Sequence, residues 1–255
     1  MTARREKIFN LPPVVTGLLG LFLVVHLIRL ALPIEMDVDL VADFAFTPGR
    51  FALWLDPAGM FGRLAEISGR SPEDALVGRY LLTHGAPQWL WVTPLSYAFL
   101  HGDWTHLIFN SVWCAAFGAP VARRFGAARF LLLGLVGAVL GAALHLALHF
   151  YDLAPVIGAS AAVSAYMGAA TRFVFQPGGG LGGRGANERP ELAGLGELLR
   201  NRQTLAFIVV WFASNLLVGL GGQPLGLTPA PVAWEAHIGG FAAGLFLASL
   251  FDQRR

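Results

Sequence analysis

The chain has 255 residues, 55% of them hydrophobic and 13% charged, with a formal net charge of +2 and a mean hydropathy of +0.59. Soluble domains carry about 25% charged residues, so this chain cannot cover a globule with polar surface and needs lipid as part of its solvent. The charge is too small for a nucleic-acid surface, and the single cysteine, Cys114, excludes an internal disulfide.

A helix needs about 20 mostly apolar residues to cross about 30 Å of hydrocarbon. Met1–Lys7 and the apolar run Val14–Leu32 are read as a short tail (1–13) and a first span. The run has no small-residue exit site, so it is taken as an uncleaved anchor rather than a secretory leader. A long loop follows, about 33–99. It mixes acids with Phe44, Phe46, Phe51, Trp54, Leu55, Met60 and Phe61, which predicts short helices in the headgroup zone. Trp104–Val121 is the second span, Phe130–Phe150 the third, and Ser160–Phe175 a short fourth. The inner segment 176–203 begins Gly-rich, and Glu191–Asn201 is expected to form a short amphipathic helix. Thr204–Leu220 and Trp234–Phe251 are the fifth and sixth spans, and residues 253–255 are the tail. The expected fold is therefore an all-α membrane protein, one six-helix domain over 14–252. Continuous rather than alternating apolar runs exclude a β-barrel.

Orientation follows the arginines. With the N-terminus inside, the tail before Leu11, the turn 121–129, the loop from about 172 to 203 and the C-terminal tail hold 13 of the 18 Lys and Arg residues, whereas the long first loop holds Arg50, Arg63, Arg70 and Arg79. The reading is N-in, C-in.

Against this apolar background "HGDWTHLIFN", His101 to Asn110, stands out. Ionisable groups at bilayer depth cost at least a few kcal/mol and default to function. His106 and Asn110 are four apart and share a helical face, in the outer half of the second span. The fourth span opens on "GASAAVSAYMGAA", placing Ser160 where unpaired amides and the helix dipole favour developing negative charge. The sixth opens on "WEAHIGGFAAG", with His237 about one turn in. Three helices thus bring a hydroxyl, an imidazole and a His/Asn pair to one depth. A serine becomes nucleophilic when a base takes its proton, and the tetrahedral intermediate needs donors for its oxyanion. Asn110, His106 and the Ser160 amide supply these. Glu235 is beside His237 but points to another face, so a Ser–His dyad is expected. Gly240, Gly244, Ala161, Ala165, Gly168 and Ala169 allow the fourth and sixth helices to approach closely.

These stretches resemble the rhomboid family of intramembrane serine proteases. "HGDWTHLIFN" matches its His-x4-His-x3-Asn, "GASA" its Gly-x-Ser-Gly and "AHIGGFAAG" its Ala-His-x2-Gly-x3-Gly, over roughly residues 90–252. The resemblance implies Ser160 as nucleophile, His237 as base, and His106 and Asn110 in the oxyanion hole. Gly158 would shape the loop before the serine, and His101 would adjoin the same outer cavity. It implies no metal or cofactor, single-span membrane proteins as substrates, and the fifth span with "GGQPLGLTPAPVAW" as lateral gate and cap. A bacterial inner membrane is the expected location. Two positions depart from the pattern. Ala161 replaces the glycine after the serine, and Ser164 stands where an aromatic stacks on the histidine, leaving the bracing of His237 open.

Other polar residues read as structure. His26, His145 and His149 are taken as interhelical hydrogen-bond partners, Asn215 as interhelical glue, Ser164 and Ser214 as back-bonded to their own helices, and Cys114 as packing. A rhomboid-like client-binding protein without strong catalysis is the alternative function. A histidine-based carrier would need paired carboxylates or broken helices at mid-membrane, and neither is evident.

Overall fold

In the computed structural model of the chain, the described residues are 11–68, 76, 80, 87–181, 190–226 and 231–252. The expected tails lie largely outside them, as do the Gly-rich residues 182–189 and the cap residues 227–230.

The apolar runs are helices: α1 Pro13–Ala31, α2 Ile34–Phe44, α3 Pro48–Leu55, α4 Pro57–Ser68, α5 Trp104–Trp113, α6 Ala119–Phe125, α7 Ala127–Leu148, α8 Ser160–Thr171, α9 Arg202–Gly221 and α10 Trp234–Phe251. Four of them, α1, α7, α9 and α10, are long and apolar enough to cross a membrane. The second expected run is helical over 104–125 but carries a π-turn at Cys114–Gly118 between α5 and α6. The fourth run ends at Thr171 rather than Phe175, and its continuation is a series of turns.

The bundle is built inside out relative to a soluble domain. Helix α8 is its centre: every residue except Ser160 and Ala162 is buried. It packs most extensively on α10 and then α7. Outward-facing side chains are large and apolar, such as Leu27 and Ile28 on α1, Ile108 and Phe109 on α5, Val209 and Val210 on α9, and Phe246 and Leu250 on α10. Such a surface is stable only against hydrocarbon.

The long first loop forms the short helices α2–α4, as its composition suggested. It clamps the segment ahead of α8. Phe46 and Val156 exchange both backbone hydrogen bonds, at 3.0 and 2.8 Å, and Gly49 N–H donates to Asp152 O at 2.7 Å. Tyr151 Oη donates to Asp56 Oδ2 at 2.6 Å. That bond, with the Gly59 N–H, holds the Asp56 carboxyl below its usual range. Arg29, at the end of α1, pairs bidentately with Asp37 (2.7 and 2.9 Å) and donates to His101 O at 2.8 Å.

The opposite end is tied by buried arginines. Arg124 bonds Asp252 at 2.6 Å and Pro190 O at 2.7 Å, and Arg172 Nε donates to Ala193 O at 3.0 Å. Two residues in the orientation count are therefore also internal fasteners. The amphipathic helix expected over 191–201 is a single turn, Leu195–Leu198. Gly194 and Gly196 disfavour helix, and Asn201 instead caps α9 by accepting from Gln203 and Thr204 N–H.

Candidate active site

The segment "HGDWTHLIFN" owes its start to Asp103. Its backbone is extended, and its carboxylate accepts the His106 N–H at 2.8 Å, an N-cap that begins α5. From there the helical spacing puts His106 and Asn110 on one face, half-buried and buried respectively. Asn110 Nδ2 donates weakly to His106 O at 3.2 Å. His101 is fully buried, its ring edge-on to His106 with centroids 5.3 Å apart.

Gly158 is seated against this pair. Its φ is +118°, and a Cβ there would lie 2.5 Å from His106 Nε2 and 3.6 Å from Asn110 Nδ2. Glycine is thus required twice, by backbone conformation and by space. Its N–H donates to Tyr97 O at 2.9 Å, and Tyr97 is anchored through its hydroxyl to Ala138 O of α7 at 2.9 Å. Two residues on, Ser160 begins α8 half-buried, ahead of the first intrahelical bond from Val163 N–H to Ala159 O.

Helix α10 meets α8 backbone to backbone. A Cβ on Gly240 would strike Ala161 O, one on Gly244 would strike Ala165 O, and one on Gly168 would strike Phe241 O. This contact lays the Ser160 end of α8 beside the His237 turn of α10. The Ala161 methyl, the first departure from the family pattern, is received by Gly141 of α7, where an added Cβ would approach it to 2.7 Å.

Among the described residues no hydrogen bond joins Ser160 Oγ to His237. The ring is held by a residue that the sequence did not single out for this role. His237 Nδ1 lies 2.7 Å from Asn215 Oδ1 on α9. Asn215 Nδ2 donates to Trp211 O at 2.8 Å, which turns the carbonyl oxygen toward the imidazole. One turn away, Trp211 and Phe241 stack at 4.2 Å. Asn215 is interhelical glue as read, but its partner is His237. Tyr166 stacks on Phe130 of α7 at 4.3 Å instead. Only knowing that α9 runs antiparallel beside α10 makes the pairing of Asn215 with His237 visible.

The sequence model of the Rhomboid domain matches residues 88–254, the stretch that contains every residue of this site. The chain belongs to the rhomboid family. It is 31% identical over 163 residues to the Rhomboid protease GlpG of Yersinia pestis (strain Pestoides F). To that of Serratia proteamaculans (strain 568) it is 29% identical over 160 residues. Each match takes in 63% of this chain and 47% of the relative, so the chain spans about half the length of the curated relatives it matches. Rhomboid membership together with four membrane-length apolar helices makes this an integral membrane protein.

The remaining polar residues divide. Ser214 back-bonds to Val210 O at 2.7 Å, whereas Ser164 makes no such bond among the described residues. His145 and His149 engage Glu235 of α10, which directs that carboxylate to the end of α7. His26 is buried edge-on against Trp104 at 4.8 Å, an aromatic contact in place of the expected hydrogen bond. Cys114 is free and fully buried at the π-turn.

Proposed function

We propose that this rhomboid is an intramembrane serine endopeptidase that cleaves single-span membrane proteins in or near their transmembrane segments, with Ser160 as nucleophile and His237 as base. The observation that carries the reading is the backbone contact of α8 with α10. It sets the Ser160 and His237 turns side by side while Gly158 abuts His106 and Asn110.

In this reading the domain over 14–252 crosses the membrane six times, N-in and C-in, probing with the 104–125 helix and α8 as well as the four long spans. Twelve residues of α8 rise only about 18 Å, so a helix reaching the inner surface begins well below the outer one. The helix ends bearing Ser160 and His237 then face the outer side, in a bacterial inner membrane.

The Asn215 carbonyl accepts the His237 Nδ1 proton, which fixes the tautomer with a lone pair on Nε2. That nitrogen takes the Ser160 Oγ proton as the oxygen attacks the substrate carbonyl. Hydrogen bonds of this kind are often long before substrate binds. The developing oxyanion is held by Asn110 Nδ2, the His106 ring and the Ser160 amide at the N-terminus of α8. The imidazolium returns its proton to the leaving amine, and water, activated by the same base, releases the acyl group. Helix α9 is the least buried of the long helices, which suits a lateral gate with the following loop as its cap.

A phosphonate probe in detergent is expected to label Ser160 of the wild type and to leave Ser160→Ala unlabelled. Labelling that is equal in the two proteins overturns the assignment. Asn110→Ala is expected to slow turnover of a single-span substrate about 10²-fold, as loss of one oxyanion donor does; an unchanged rate removes it from the site. Asn215→Leu removes the acceptor for Nδ1 and is expected to lower kcat about 10-fold, a fraction of the 10²–10⁴ that general-base catalysis supplies. Its KM is expected to hold, and Asn215→Asp to recover more activity than Asn215→Leu. A change confined to KM points instead to α9 acting only on substrate access.

A further inference from the structure

One charged group inside the bundle has no part in the reaction above. Glu235, in the first turn of α10, is buried, and its carboxylate reaches sideways to the C-terminal end of α7. Oε2 lies 3.3 Å from His145 Nδ1, and Oε1 lies 2.8 Å from His149 Nε2. The two histidines are four apart, and their rings stack with centroids 4.7 Å apart and planes 29° apart. One ligand atom from each of the three residues lies within 4.8 Å of the others, an arrangement found nowhere else among the described residues.

We propose that His145, His149 and Glu235 form a binding site for a divalent transition metal of the zinc type, joining α7 to α10 two residues ahead of His237. Two imidazole nitrogens and one carboxylate oxygen suit zinc. Calcium and magnesium prefer sites built from oxygen alone. Zinc bonds of about 2.0–2.2 Å in tetrahedral geometry place neighbouring donors about 3.3 Å apart. His145 Nδ1 lies 3.3 Å from one carboxylate oxygen and His149 Nε2 lies 2.8 Å from the other, and one donor from each residue lies within 4.8 Å of the others. Only a modest drawing-in of the two rings is needed. A bound cation takes both imidazoles in their neutral form and offsets the charge of the buried carboxylate. The fourth coordination position falls to water, because His149 is 39% exposed at its side chain. It lines a surface cleft with Tyr151 and Asp152 through which an ion can enter. The C-terminal carbonyls of α7 add negative potential on this side. The inference stands independently of the protease assignment, since its test reads the metal itself.

The test uses the full chain without an affinity tag, stripped with a chelator in detergent and titrated with zinc against a chromophoric competitor. One equivalent is expected to bind with micromolar or tighter affinity and to raise the thermal midpoint, while calcium and magnesium at the same concentration do neither. Cobalt is expected to give the d–d absorption of a tetrahedral nitrogen–oxygen site. His145→Gln, His149→Gln and Glu235→Gln are each expected to weaken zinc binding about 100-fold or more, since even outer-shell changes cost 10- to 100-fold. His149→Gln changes a partly exposed side chain and keeps the test valid if loss of Glu235 disturbs folding. Absence of stoichiometric binding in the wild type, or affinity retained in any correctly folded variant of the three, overturns the site.

Discussion

Ser160→Ala and His237→Ala are each expected to abolish cleavage of a single-span substrate reconstituted with the protein, leaving the thermal midpoint close to wild type. In serine proteases, loss of either nucleophile or base removes about as much rate as loss of both, on the order of 10⁶-fold in kcat. The double variant should therefore be no slower than either single one. Both side chains are half-buried at helix starts, and neither fills a core position, so their truncation should leave the bundle assembled. Ser160→Ala that cleaves at the wild-type rate would sink the proposed mechanism and leave client binding as the better account.

The second large effect concerns no reactive group. Gly244→Val is expected to lower both the thermal midpoint and the activity of whatever folds. A Cβ at Gly244 would meet the backbone of Ala165, with its carbonyl carbon at 2.6 Å and its Cα at 2.9 Å. A backbone cannot rotate aside as a side chain can, so α8 and α10 must separate. Overpacking typically costs about 1–3 kcal/mol, and a misplacement of about 1 Å at reacting groups costs about 10²-fold in rate. Gly20→Ala on α1 is the matched control. Nothing lies within 4 Å of the added methyl, and alanine is favoured over glycine in a helix by about 0.5–1 kcal/mol. Thermal unfolding in detergent and substrate turnover measure both. A Gly244→Val protein indistinguishable from wild type would show that the close approach is not what aligns the site.

Much of this was legible in the chain because lipid imposes a simple code. A long apolar run must satisfy its own backbone and so becomes a helix. The runs read as 14–32, 204–220 and 234–251 fold as Pro13–Ala31, Arg202–Gly221 and Trp234–Phe251. Small residues at 240, 244 and 168 announced a close helix contact, and the contact is there. Less legible were features made by turns and local competition: the π-turn at Cys114–Gly118, the early end at Thr171, and the one-turn helix at Leu195–Leu198. Hydropathy is blind to these, since an average over a window carries no hydrogen-bond register.

Which long apolar runs are helical, which polar residues share a face and which family the chain joins could all be read along the chain, because periodicity and motif order are properties of a linear string. It took the folded bundle to set Asn215 against His237, to seat the Ala161 methyl at Gly141 and to turn Glu235 toward His145 and His149. Those pairings depend on how each helix is rotated about its axis and which neighbour it meets. Shape-fitting among all the helices at once sets both.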